Sequence, residues 1–256
     1  MTTIVIKGNN YFFQYENISL DEKVSFLIDK MHSDKKHLKY YNVLLQSYGE
    51  YLKPNDKISL IVVTKSQTLE NISEIVKNGY KRLGENYVDE ASKKIKFFND
   101  DSIEWHFIGK IQSNKIKKIV KSFSWVQTVS SIKHAKLLHK ACLETSKTIN
   151  VCIQVNIDNE PTKSGILLED IDDFIENILV FDRLVIRGLM AIPSKINALK
   201  ENINSYKILK SEYDRLHYKY KSFNTLSIGM SNDYKLAIDN GSNMVRIGSL
   251  IFGERK

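Results

Sequence analysis

Along most of this chain, short apolar runs rich in Val and Ile alternate with stretches whose apolar residues recur every three or four positions. The first run, residues 58–64, reads Ile-Ser-Leu-Ile-Val-Val-Thr, the composition of a strand buried on both faces. Residues 69–78 follow with helical spacing and stop at Gly79. The alternation then repeats. Strands are expected over 80–84, 104–108, 125–129, 150–157, 184–192, 225–228 and 244–247. Helices are expected over 87–98, 113–122, 132–145, 168–180, 196–220 and 233–240. Eight strands with a helix in each connection favour a parallel sheet, because parallel neighbours need long crossovers. Eight such units in about 200 residues suit a single (β/α)8 TIM barrel. An open doubly wound sheet is the alternative arrangement.

The two ends need separate treatment. Only residues 250–256 follow the eighth strand, so the eighth helix is expected to be missing or very short. Residues 20–51 carry apolar side chains at 24, 27, 28, 31, 38, 41, 44, 45 and 48, an irregular helical pattern. This N-terminal helical extension can pack over the gap left on the barrel. Residues 1–17 form an unassigned arm, either hairpin-like or loose. The expected division is therefore an arm over 1–17 and a barrel domain over 18–256.

Composition narrows the class. The 256 residues are 42% hydrophobic and 27% charged, which describes a globular chain and not a disordered one. No apolar run approaches the roughly 18 residues of a membrane helix. Met1 is followed by Thr-Thr-Ile-Val-Ile-Lys, without a basic leader or a small-residue cleavage site. Two cysteines, Cys142 and Cys152, are too few for a disulfide framework, and no Cys/His cluster has zinc spacing. A reduced, cytoplasmic protein without a metal or a membrane partner is expected. The net charge of +8 raises a phosphate-bearing partner. The densest basic stretch, residues 110–121, has Ile111, Ile116 and Ile119 on a helical stripe and no interleaved aromatics. Its lysines read as a solvated face, and no nucleic-acid partner is expected.

Candidate chemistry sits at the strand ends, where barrel active sites lie. Lys65 closes the first strand. Its amine there is either a partly desolvated nucleophile able to form a Schiff base or an ammonium that reaches back to solvent. Asn86 follows the second strand and can hydrogen-bond a polar ring substituent. His106 shares a face with Ile108 and can point into the barrel, as a contact or as a core histidine. Met230 and Ser231 follow the seventh strand, with Ser231 placed to cap the next helix and to hold an anion at its start. Arg246 lies inside the eighth strand. Gly248 and Ser249 follow it, the glycine allowing close backbone approach and the serine adding a hydroxyl. The loops after strands seven and eight form the usual phosphate site of this fold.

A lysine at strand one, a phosphate cradle at strands seven and eight, and an arginine in strand eight suggest a pyridoxal phosphate site. The chain resembles the pyridoxal phosphate homeostasis protein family, related in fold to the N-terminal barrel of alanine racemase. The matching stretches include Val63-Thr-Lys65, Gly84-Glu-Asn-Tyr-Val-Asp-Glu90, Trp105-His-Phe-Ile-Gly109, Lys163-Ser-Gly-Ile166, Leu226-Ser-Ile-Gly-Met-Ser231 and Val245-Arg-Ile-Gly-Ser249. The resemblance implies that Lys65 is the Schiff-base lysine. It also implies that Met230, Ser231, Gly248 and Ser249 cradle the phosphate, Asn86 contacts the ring, and Arg246 faces the pyridine nitrogen. An arginine stays protonated and so keeps that nitrogen unprotonated, which weakens the ring as an electron sink. The family often has a second lysine where this chain has Gln67.

Two functions follow as expectations. One is a monomeric carrier that holds pyridoxal phosphate and delivers it to pyridoxal-phosphate-dependent apoenzymes without turnover. The other is an amino-acid racemase or decarboxylase. Racemisation needs an acid/base on each face of the Cα proton, and the residues offer Lys65 for one face and no clear Tyr or Cys for the other.

Overall fold

The computed structural model describes residues 4–7, 10–13, 58–194 and 203–253. Strands β1 (Ile4–Lys7) and β2 (Asn10–Phe13) pair antiparallel, in the hairpin form of the two expected for the arm. The expected extension over 20–51 lies outside the described residues, as do 196–202 of the expected long helix.

The barrel strands are β3 (Ser59–Val63), β4 (Arg82–Glu85), β5 (Glu104–Phe107), β6 (Trp125–Val129), β7 (Ile149–Val155), β8 (Leu184–Ala191), β9 (Thr225–Ser227) and β10 (Met244–Ile247). All pair in parallel and in sequence order, and β10 returns to pair with β3, with Arg246 opposite Ile61. The barrel is closed, so the open-sheet alternative does not apply. Helices α1 (Leu69–Lys77), α2 (Val88–Phe98), α3 (Ile116–Ser122), α4 (Ile132–Glu144), α5 (Ile171–Ile178), α6 (Asn204–Lys219) and α7 (Tyr234–Asp239) fill the connections. The eighth, α8 (Ser249–Phe252), has four residues, the short form expected.

Two apolar regions hold this together. Outward strand residues such as Val62, Leu83, Val126, Val151 and Leu226 pack with buried helix residues such as Ile72, Ile119 and Leu138. Ile61, Trp125, Cys152, Met190 and Met244 form a second, smaller cluster. Strand alternation sends this second set into the barrel interior and carries Gln127, Gln154 and Arg246 inward two positions further on. The barrel is therefore apolar toward the strand starts and polar toward the strand ends. Among the described residues, no helix is long and apolar enough to cross a membrane.

Both cysteines are fully buried. Burial pushes the Cys142 thiol up to about 11 and the Cys152 thiol up to about 12. The thiolate is the reactive form, so Ellman's reagent at neutral pH should label neither cysteine in the folded protein and both in denaturant. Prompt reaction of the native protein would contradict this packing.

Candidate functional site at the barrel mouth

Closure places the lysine strand beside the arginine strand. Lys65 lies two residues past the end of β3, after Thr64, and is half-buried. Its turn is built by the Gln67 amide donating to the Thr64 carbonyl at 3.1 Å, with Ser66 in the left-handed region at φ 62°. A buried polar cluster fixes that turn. The Lys94 ammonium, on α2, donates to the Thr64 carbonyl at 2.7 Å, to Glu85 Oε1 at 2.7 Å and to Glu90 Oε1 at 2.6 Å. All three of its protons are thereby used. The Thr64 hydroxyl also donates to Glu85 Oε1 at 2.6 Å, and the Ser66 amide donates to Glu90 Oε1 at 2.6 Å. Burial raises the Glu85 carboxyl above its ordinary value, against the pull of Lys94 and Thr64. The segment carrying Lys65 is thus bolted to β4 and α2.

On the other side of β3 lie the loops after β9 and β10. Gly229 has φ 106°, and a Cβ there would meet the Ala237 Cβ at 2.7 Å, so glycine is required. Ser231 does not cap the following helix as expected. Helix α7 starts at Tyr234 behind Asp233, and the Asp233 carboxylate accepts from the Met230 amide at 2.7 Å, tightening the loop locally. The Ser231 hydroxyl instead accepts from the Leu250 amide at 3.4 Å, across to the start of α8. The two loops meet there. Gly248 lies against Val63, where an added Cβ would come within 3.2 Å of the Val63 carbonyl oxygen and Cβ. Met230 is exposed.

Arg246 is buried inside the barrel. Its Nη1 donates to the Ser227 carbonyl at 2.9 Å and hydroxyl at 2.6 Å, and its Nη2 donates to the Ala191 carbonyl at 3.0 Å. Burial lowers the guanidinium to about 10, opposed by the charge of Asp233, so it stays cationic at neutral pH. His106 points inward as its alternation predicts. It is fully buried, stacked on Trp125 at 5.1 Å between centroids, with both ring nitrogens engaged by Glu104 and Gln127. It is a core histidine, not a contact left open at the mouth.

A cavity of about 280 Å³ opens at the same end of the barrel. Asn86 lines it, together with Thr128, Gln154, Asn156, Lys163 and Ile192 among others. Asn86 Oδ1 is buried without a hydrogen-bond partner among the described residues. A buried polar atom without a partner is a vacancy for a donor. Gln154 donates to the Ser164 carbonyl at 3.0 Å, and Lys163 donates to the Ile192 and Pro193 carbonyls at 3.3 and 3.0 Å. Of the seven residues the resemblance implies for the cofactor, Asn86 lines this cavity; the other six lie on the β9–β10–β3 side of the barrel and are not part of its lining. Sequence reading missed the Lys94 cluster and the cavity lining from β7. The Glu90–Lys94 spacing of four was the available signal, but it is common on solvated helices.

Fold and site together define a barrel of the alanine racemase N-terminal domain type, whose family model matches residues 49–256. The alanine racemase of Clostridium difficile 630 shares the fold, with a TM-score of 0.69 and 16% identity over 85% of this chain and 57% of that one. Curated relatives are more specific. A pyridoxal phosphate homeostasis protein of Buchnera aphidicola is 38% identical over 87% of this chain and 99% of its own length, and one of Escherichia coli K12 is 37% identical over 78% and 87%. PipY of Synechococcus elongatus, solved with PLP bound, superposes with a TM-score of 0.74 at 29% identity, covering 82% of this chain and 98% of that one. The chain belongs to the pyridoxal phosphate homeostasis protein family.

Two predictions come from paired charges, one beside the Lys65 turn and one at the opposite end of the barrel. Lys94→Met strands Glu85 without its cation, and breaking a buried pair costs about 3–5 kcal/mol. Thermal unfolding should show that loss, and Lys94→Met with Glu85→Gln should recover much of it; a loss below about 1 kcal/mol would remove the cluster as the anchor of the turn. Glu104 is the second case. Burial raises its carboxyl, but the His106 bond and Arg82 at 3.2 Å outweigh this and hold it at about 2, below the ordinary 4.5. Its contribution is present above the ordinary value and is lost as pH falls toward 2. With 38% of the side chain exposed, solvent screening leaves an effect on the order of 1 kcal/mol. Urea unfolding between neutral and acid pH should be steeper in wild type than in Glu104→Gln, and equal slopes would refute the shift.

Proposed function

We propose that this chain holds pyridoxal 5'-phosphate as a Schiff base on Lys65. It serves intracellular homeostasis and delivery of that cofactor to pyridoxal-phosphate-dependent apoenzymes, acting as a monomer without catalytic turnover. The observation that carries the proposal is the closure of β10 onto β3. It sets the Lys65 turn beside the loop pair joined by Ser231 and the Leu250 amide. The relatives' shared name and the PLP-bound PipY structure support it.

Bound pyridoxal phosphate supplies an aldehyde for amines and an electron-accepting ring. The chain supplies the rest. The Lys65 amine, on a turn held by Lys94, is the nucleophile. The Ser231 and Ser249 hydroxyls and the amides at Gly248 and Ser249 offer donors to the phosphate; amides in a first helical turn have no intrahelical carbonyl to bind. Asn86 lies on the cavity side, its buried Oδ1 open to a donor on the ring. Arg246 carries only donors, so it faces the pyridine nitrogen without protonating it.

One experiment tests this. Purified protein titrated with pyridoxal phosphate should gain the absorption band of a Schiff base, and borohydride followed by peptide mapping should place the adduct on Lys65. Pyridoxal, which lacks the phosphate, should bind more than about a hundredfold more weakly, since each charge-assisted bond it forgoes is worth about 1.5–3 kcal/mol. No L-amino acid should be racemised or decarboxylated. An adduct on another lysine removes Lys65, equal binding of the two aldehydes removes the cradle, and turnover removes the carrier.

A further inference from the structure

Arg246 is the upper end of a chain of hydrogen bonds through the barrel interior. Its Nη1 donates to the Ser227 hydroxyl at 2.6 Å. That hydroxyl donates to Gln127 Oε1 at 2.8 Å. Gln127 Nε2 lies 3.1 Å from His106 Nδ1 and 3.2 Å from the Met244 sulfur. His106 Nε2 lies 2.9 Å from Glu104 Oε1. Ser227, Gln127 and His106 are all fully buried. Glu104 opens β5 and is half-exposed at the end of the barrel opposite the mouth, where Arg82 also reaches it. The chain thus spans the barrel from one end to the other.

Its direction is fixed by its ends. A guanidinium has only donors and an ionised carboxylate only acceptors. Glu104 therefore requires a proton on His106 Nε2. In a neutral imidazole this leaves Nδ1 as acceptor, so Gln127 must turn its NH2 toward His106 and its oxygen toward Ser227. Ser227, already accepting from Arg246, then has its own proton free for that oxygen. Every bond points the same way, from cation to anion, and every link is satisfied. A doubly protonated His106 would force Gln127 to flip, and the proton of Ser227 would lose its acceptor. The burial of His106, which lowers its basicity, agrees with the neutral form.

We infer that Ser227, Gln127 and His106 are positioning residues for Arg246: they lock its guanidinium at the mouth and align it with the negative charge of Glu104 at the far end. The inference rests on the proposed role of Arg246 at the ring nitrogen. Bonds in such a chain polarise one another, so the carboxylate strengthens the hold on a cation that desolvation disfavours. The three residues touch no ligand. Their effect reaches the cofactor only through the orientation of Arg246.

The test has two parts. In the protein without cofactor, 15N NMR of His106 should show a neutral ring locked in the Nε2–H tautomer. Ser227→Ala and Gln127→Met should keep that tautomer, since Glu104 still accepts from Nε2. A cationic His106, or the Nδ1–H tautomer, in wild type would overturn the chain. The second part uses pyridoxal phosphate labelled with 15N in the ring. Arg246→Met should move the ring-nitrogen resonance downfield, toward that of an unbonded pyridine. Ser227→Ala and Gln127→Met should move it part of the way, and Ser227→Thr, which keeps the hydroxyl, should restore the wild-type position. If Arg246→Met shifts the resonance and the link variants do not, the positioning role is wrong while the assignment of Arg246 stands. If Arg246→Met leaves the resonance unmoved, that assignment fails and the positioning role with it, whatever the tautomer of His106. Should Gln127→Met not fold, Ser227→Ala alone decides, since it removes a single oxygen.

Discussion

The pairing of β10 with β3 is the contact on which this structure depends. It turns a row of eight strands into a closed surface and removes both sheet edges. It also brings together residues from the two ends of the barrel: Lys65 beyond β3, and Arg246, Gly248 and Ser249 on and after β10. Gly248 lies against Val63 so closely that the boundary between the two strands is backbone on one side. Without that closure Lys65 and the loops after β9 and β10 would sit on opposite edges of an open sheet.

Closure creates an enclosed interior, and that interior decides how polar residues can be used. Charges placed there must find partners within the barrel or its inner shell. Two solutions appear. Around Lys94 the charges are concentrated: one ammonium satisfies two carboxylates and a carbonyl, and stiffens the turn above it. Around Arg246 they are spread, with cation and anion at opposite ends of the barrel and neutral groups between. The first arrangement holds a backbone segment; the second holds a side chain. Each supports one of the two residues expected to do the chemistry.

Much of this was legible in the chain. Val- and Ile-rich runs marked β3, β6, β7, β8 and β10 because parallel strands are buried on both faces, while β4, β5 and β9, which contain neither residue, were placed by their position in the alternation. The short segment after the eighth strand marked the reduced α8. Position at or within the strand ends is what made Lys65, Asn86 and Arg246 candidates. What was not legible depends on register and on competition among loop donors. Ser231 was expected to cap α7, but Asp233 engages the Met230 amide and leaves Ser231 facing Leu250. Lys94 reads as one more lysine on a charged helix, and only the approach of β4 to α2 buries it. Gln127 and Ser227 are far apart in sequence and unremarkable singly; their bond exists because β6 and β9 face each other across the barrel.

The closing pair also has a consequence for biosynthesis. A ribosome releases β3 early and β10 last, since nearly the whole barrel separates them in the chain. Contacts this distant in sequence form slowly and only after the intervening segments have folded. The contact between the Lys65 segment and β10 does not exist on a partly synthesised chain. A nascent protein can therefore display Lys65 on an incomplete sheet until β10 has been made. The Lys65 turn therefore gains its β10 neighbour late, after the seven other strands of the barrel have been made.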